Sequence, residues 1–130
     1  MTSLKPYYIR AIFEWILDNE LTPYLLVDAS ENNNYLPKEY VKDGQIVFNI
    51  TPGIVQNLNI TNKEVEFDAR FSGRKRQIYV STSSILAIYA KENGRGMVFN
   101  EFEEEAVSGG GDAIDASANP QLESGANQKL

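Results

Sequence analysis

Apolar residues crowd the stretch from Tyr7 to Leu17, where only Arg10, Glu14 and Asp18 form a polar strip at i, i+4 and i+8. This pattern predicts a helix over residues 7–19. Pro6 suits its first turn, where a missing N–H costs nothing, and Leu21-Thr22-Pro23 is the expected stop. Tyr8, Ile12, Trp15 and Ile16 mark one apolar face, and Ile9, Phe13 and Leu17 an adjoining one. A surface helix normally carries one apolar stripe. This one is either deeply buried in its own domain or packed by one face on the domain and by the other on a second copy. In so small a domain the second arrangement is the expectation.

Short segments with strand-like patterning follow. Tyr24–Asp28 is a short apolar strand, and the polar run from Ala29 to Tyr35 is a loop. Asp43-Gly44 is a turn signal ahead of a strand over Gln45–Ile50, and Thr51-Pro52-Gly53 breaks the chain again. Val55–Ile60 reads equally as a short strand or a turn. Val65, Phe67, Ala69 and Phe71 alternate with Glu66, Asp68 and Arg70, which places them on opposite sides of a strand. Ser72-Gly73 turns the chain and Gln77–Val80 returns it, so a hairpin is predicted. A second helix is expected over Ser83–Glu92, capped by Ser81 or Thr82 and ended by a left-handed Asn93-Gly94, with a last strand at Met97–Phe99. The predicted class is α+β: mainly β with two helices, arranged as a small barrel or sandwich.

Composition sharpens this picture. The 130 residues fit one domain. The absence of Cys and His rules out a disulfide framework, a Cys/His zinc site, a thiol nucleophile and a Ser-His-Asp triad. The net charge of −6 is unevenly spread: residues 103–130 carry −5, leaving −1 for the preceding 102 residues. All 14 aromatic residues lie at or before Phe102. The expected division is a folded domain over residues 1–102 and a flexible, disordered acidic tail over 103–130, rich in Gly, Ala, Ser and Asn. A nearly neutral body argues against specific or strong DNA binding. No apolar stretch is long enough to span a bilayer, and no targeting segment is visible, so a soluble cytoplasmic protein is expected.

Few residues look like chemistry. Glu64, Glu66 and Asp68 share a strand face but read as a solvated surface. Gly109-Gly110-Gly111 lacks the Lys-Ser/Thr of a phosphate loop. Arg70, Arg74, Lys75 and Arg76 cluster at the predicted hairpin tip. They read as edge charges that discourage aggregation, as an attractor of acidic peptides, or as phosphate contacts of an RNA-binding module spanning 70–76. Val47 and Asn49, with Ala69 and Phe71, could line a groove for an extended peptide. No catalytic or metal-binding residues are assigned.

Several longer runs carry a resemblance. Pro6–Asn19 (PYYIRAIFEWILDN), Leu21–Asp28 (LTPYLLVD), Glu39–Ile50 (EYVKDGQIVFNI), Phe67–Phe71 (FDARF) and Leu86–Gly94 (LAIYAKENG) occur in order and resemble the SspB (stringent starvation protein B) family over about residues 6–99. The resemblance implies a small Sm-like β-barrel with an N-terminal dimerisation helix. It implies a proteolytic adaptor that binds the ssrA tag of stalled translation products and delivers tagged proteins to the ClpX unfoldase and its ClpP peptidase. Ribosome association is a further partner implied this way. No enzymatic activity and no cofactor are implied. The peptide groove is expected to involve Gln45, Val47, Asn49, Phe67, Asp68, Ala69, Arg70 and Phe71, and the homodimer to form through Tyr8, Ile12, Trp15 and Ile16. Ala69 would admit the peptide backbone, and Arg70 would attract acidic tag positions. Asp68 stands where the family usually has Asn. The tail ends Ser124–Leu130 with one base and one large aliphatic residue, which departs from the family's apolar–basic ClpX-docking peptide.

Overall fold

The computed structural model describes residues 2–30 and 35–99. Helix α1 (Lys5–Asp18) leads into strand β1 (Pro23–Asp28). A one-turn 3₁₀ helix (Lys38–Tyr40) precedes β2 (Gln45–Asn49), β3 (Gln56–Ile60), β4 (Glu64–Phe71) and β5 (Arg74–Ser81). A second such turn (Thr82–Ser84) precedes β6 (Ile85–Ala90) and β7 (Gly96–Val98). The strands form two antiparallel sheets, ordered β2-β1-β6-β7 and β3-β4-β5. Among the described residues these sheets do not close into a ring. The predicted tail, 103–130, and the boundary at 102 lie outside the described residues.

The helix ends differently from its sequence reading. Proline at 23 is not the stop. Glu20 takes a left-handed φ of 60°, its N–H donates to Leu17 O at 2.9 Å, and the Leu21 N–H donates to Ile16 O at 3.1 Å. That bond pair is a Schellman ending. Leu21 packs against the same core as Ile16, which supplies the apolar contact that accompanies it.

Both tight hairpin turns lie where the turn residues place them. Asp43 and Gly44 both have positive φ (54° and 74°), and Lys42 and Gln45 exchange two backbone hydrogen bonds across them. Ser72 and Gly73 repeat the pattern (53° and 80°) between the paired Phe71 and Arg74. Positive φ at both central positions matches the right-handed twist of the flanking strands. The undecided segment 55–60 is a strand, with Asn57 at a φ of 58° inside a register irregularity.

The predicted second helix over Ser83–Glu92 is not formed: among the described residues α1 is the one α-helix. Ser81 does cap a turn, accepting from the Ser83 N–H at 3.3 Å, but only the single 3₁₀ turn Thr82–Ser84 follows. Ile85–Ala90 continues as β6, paired with β1 on one side and β7 on the other. Helix α1 packs principally on β6. A central strand covered on both faces is apolar at nearly every position. Ile85, Ala87, Ile88 and Ala90 are all buried, and a run this dense fits a helical period as well as a strand. Gly94 is left-handed, but it closes the β6–β7 turn: its N–H donates to Ala90 O at 2.7 Å.

The core joins both sheets to the helix. Leu25 and Val27 of β1, Phe48 of β2, Phe67 of β4, Val80 of β5 and Ile88 of β6 meet Ile9 and Ile16 of α1, all nearly inaccessible to solvent. Phe48 and Phe67 stack edge to face at 5.3 Å, locking one sheet onto the other.

Candidate functional site

A groove of about 450 Å³ lies between the β2 edge of one sheet and the far end of β4 in the other. Its position follows from topology. β2 is an outer strand. Its bonds to β1 are marked at both ends, where Ile50 N–H donates to Pro23 O (3.0 Å) and Ala29 N–H donates to Gly44 O (2.7 Å). Antiparallel alternation between those points turns the main-chain groups of Val47 and Asn49 outward. On the other wall, β3 begins at Gln56 opposite Asp68. The Glu64 carbonyl accepts from Thr61, so the even-numbered residues of β4 face the β3 side, and Arg70 lies beyond the end of β3. The groove is thus flanked by two stretches of sheet edge.

Seven of the eight anticipated groove residues line it: Val47, Asn49, Phe67, Asp68, Ala69, Arg70 and Phe71. Gln45 does not, because it sits at the opposite end of β2, beside the Asp43-Gly44 turn. Phe67 is buried and forms floor rather than rim. Phe71 is half-buried between Phe48 (6.2 Å) and Tyr40 (5.2 Å), and the Tyr40 hydroxyl shares a hydrogen bond of 2.7 Å with Ser72. Asn49 shapes the loop that follows it. Its Oδ1 accepts from both Thr51 N–H (3.0 Å) and Thr51 Oγ (2.6 Å).

That loop adds residues that sequence reasoning missed: Gly53, Ile54, Val55 and Gln56. Ile54 is 62% exposed, and an apolar residue inside a Pro-Gly turn was the available signal. Gly53 takes a φ of 100°, which disfavours any side chain there. Lys75 also lines the groove. It stands opposite Arg70 and diagonal to Asp68, so the hairpin register would have found it.

The charges near the groove are partly spent. Lys75 lies 3.8 Å from Asp68, and Asn57 donates to the same carboxylate at 2.8 Å. Arg76 pairs with Glu39. Glu39 is held below its ordinary carboxylate range first by a hydrogen bond from its own backbone and then by Arg76. Arg70 and Arg74 have no ion-pair partner among the described residues. No group of three or more acidic, Cys or His side chains among the described residues is placed to hold a metal. No described helix is long and apolar enough to cross a membrane.

On α1, the four residues assigned to a dimer face separate. Ile16 is buried in the chain's own core and Ile12 is half-buried, while Tyr8 (36%) and Trp15 (42%) are open to solvent. Leu4 extends that open stripe.

Fold and groove together define a small antiparallel α+β domain with a cleft between two sheet edges. By sequence, residues 3–129 match the stringent starvation protein B family, and the chain belongs to that family. A relative from Haemophilus influenzae (strain ATCC 51907 / DSM 11121 / KW20 / Rd), described as a stringent starvation protein B homolog, is 48% identical over 99 residues. The match covers 76% of this chain and 66% of that relative.

Proposed function

We propose that this chain is a cytoplasmic proteolytic adaptor whose groove binds the ssrA tag of stalled translation products and hands the tagged protein to the ClpX unfoldase with ClpP. The observation that carries this reading is the cleft between the outward-facing edge of β2 and the free end of β4. An extended peptide laid there would hydrogen-bond through its main chain to strand edges and place alternate side chains against Val47, Ile54 and Phe71. Such a peptide would join the two sheets as an added strand, completing the Sm-like barrel that the family resemblance implies. Ala69 supports close approach, because a methyl side chain leaves the backbone accessible. Such an adaptor carries out no chemistry of its own and uses no cofactor.

The proposed quaternary state is a homodimer through the open stripe of α1, with Tyr8 and Trp15 in the contact and Ile12 at its margin. Ile16 would support that face from beneath. A dimer would present two grooves to one unfoldase and raise the effective concentration of tagged substrate. The RNA-binding alternative has less support, since Arg76 is paired with Glu39 and the Asp68 carboxylate stands beside Lys75, where it would repel a phosphate.

The test is a fluorescence-anisotropy titration of labelled ssrA-tag peptide with the full-length chain. Saturation at one peptide per chain is expected. Ala69→Gln should weaken binding by at least about 30-fold, the size of a 2 kcal/mol hot spot, without lowering the melting temperature. Unchanged affinity in that variant would remove the groove assignment.

A further inference from the structure

Asp68 occupies the groove wall with its side chain 18% exposed, and both of its partners converge on one oxygen. Asn57 Nδ2 donates to Oδ2 at 2.8 Å, and Lys75 Nζ lies 3.8 Å from that same atom. Oδ1 has no partner among the described residues. The two contacts differ in kind. The Asn57 bond is short and comes from a residue held at a φ of 58° in the β3 irregularity, so it fixes where the carboxylate stands. The Lys75 side chain is 56% exposed and its contact is long, so it leaves most of the negative charge uncompensated.

An ionised carboxylate can only accept hydrogen bonds. A half-buried acceptor that meets a donor gains a charge-assisted bond. The same acceptor facing another carboxylate leaves both unpaired and adds like-charge repulsion. Two residues further along β4, Arg70 lines the same groove with a positive charge. The groove wall therefore presents two neighbouring charges of opposite sign.

We infer that Asp68 is a specificity-determining residue: the ligand residue that faces it must bring a hydrogen-bond donor, an Asn or Gln amide or a cationic side chain, and an aspartate there is rejected. This rests on the reading of the groove as a peptide site, and it narrows the ligand from any tag-like peptide to those with a donor at one defined position.

The experiment uses the full-length chain, the labelled ssrA-tag peptide, and a set of tag peptides in which each interior position in turn carries Asn or Asp. In the wild type, one position should favour Asn over Asp by about tenfold. In Asp68→Asn, which keeps an oxygen to accept from Asn57, the preference at that position should fall to about twofold or less. Lys75→Met gives an independent arm, since it leaves the carboxylate and removes the nearby cation. There the preference should widen, and this arm decides the question if Asp68→Asn fails to fold. An equal preference in wild type and Asp68→Asn, or no position with a preference, overturns the inference while leaving tag binding standing. Failure of the wild type to bind the parent tag peptide is a different result: it ends the groove reading and this inference with it.

Discussion

Thr22 and Glu92 stand 70 residues apart, yet one carboxylate holds the entry to β1 against the exit of β6. Glu92 Oε1 accepts from the Thr22 N–H at 2.9 Å and Oε2 accepts from Thr22 Oγ at 2.6 Å, while Lys91 N–H donates back to Thr22 O. These bonds favour the charged form, so Glu92 titrates below its ordinary value of 4.5, with the Thr22 hydroxyl as the largest cause. The sign follows directly. A carboxylate whose folded pKa is depressed stabilises the fold above its unfolded pKa, and that contribution disappears as pH falls through the folded value. Glu92→Gln should therefore lower the urea midpoint at neutral pH. The gap between variant and wild type should close as the pH is taken from about 5 to about 3. A gap that stays constant across that range would mean that the carboxylate's charge is not what holds the contact.

Among the elements, α1 carries an apolar stripe left open to solvent. Its inner face supplies Ile9 and Ile16 to the core, and its outer face leaves Leu4, Tyr8 and Trp15 in water. Replacing Tyr8 and Trp15 together with Glu should shift the proposed dimer to monomer in sedimentation equilibrium, weakening association by at least about 30-fold. The circular dichroism of the helix should be unchanged, because both side chains lie off the core. The same helix shows what local pattern can and cannot convey. Its span was legible because the polar strip Arg10, Glu14, Asp18 recurs at a helical period. Its ending was not, because the left-handed residue is Glu20 rather than Gly. The type of β6 was hidden for a different reason: burial on both faces erases the alternation by which a strand is recognised. The groove was legible chiefly through the family resemblance: alternation along the strands offers only Val47, Asn49, Ala69 and Phe71, because Asp68 and Arg70 alternate onto the other side of β4 and still line the cleft at its end. Ile54 and Lys75 were not anticipated there, although the apolar residue after Pro52-Gly53 and the cross-strand register of the predicted hairpin carried the signal.

At the scale of the molecule, a single strand-like ligand would touch both sheets at once. Binding of the tag peptide should therefore stabilise the whole fold, by about 2.7 kcal/mol at a hundredfold excess over Kd, and raise the melting temperature accordingly. Amide exchange should slow on both sides of the groove, at Val47 and Asn49 and also at Arg70. Protection on one side only would mean that the peptide rests on a single sheet and does not bridge them.

The strand order also sets a timetable. The whole β3-β4-β5 sheet is drawn from the chain between the two halves of the other sheet, and its neighbouring strands are joined by short turns. β1 by contrast waits for β6, and α1 finds its main support on that same late strand. During synthesis α1 is thus made well before β6, and it is among the last of the described elements to gain its seat. Until residue 90 has been added, its inner face has no β6 to rest on, and the nascent chain must until then carry an apolar helix without its main support.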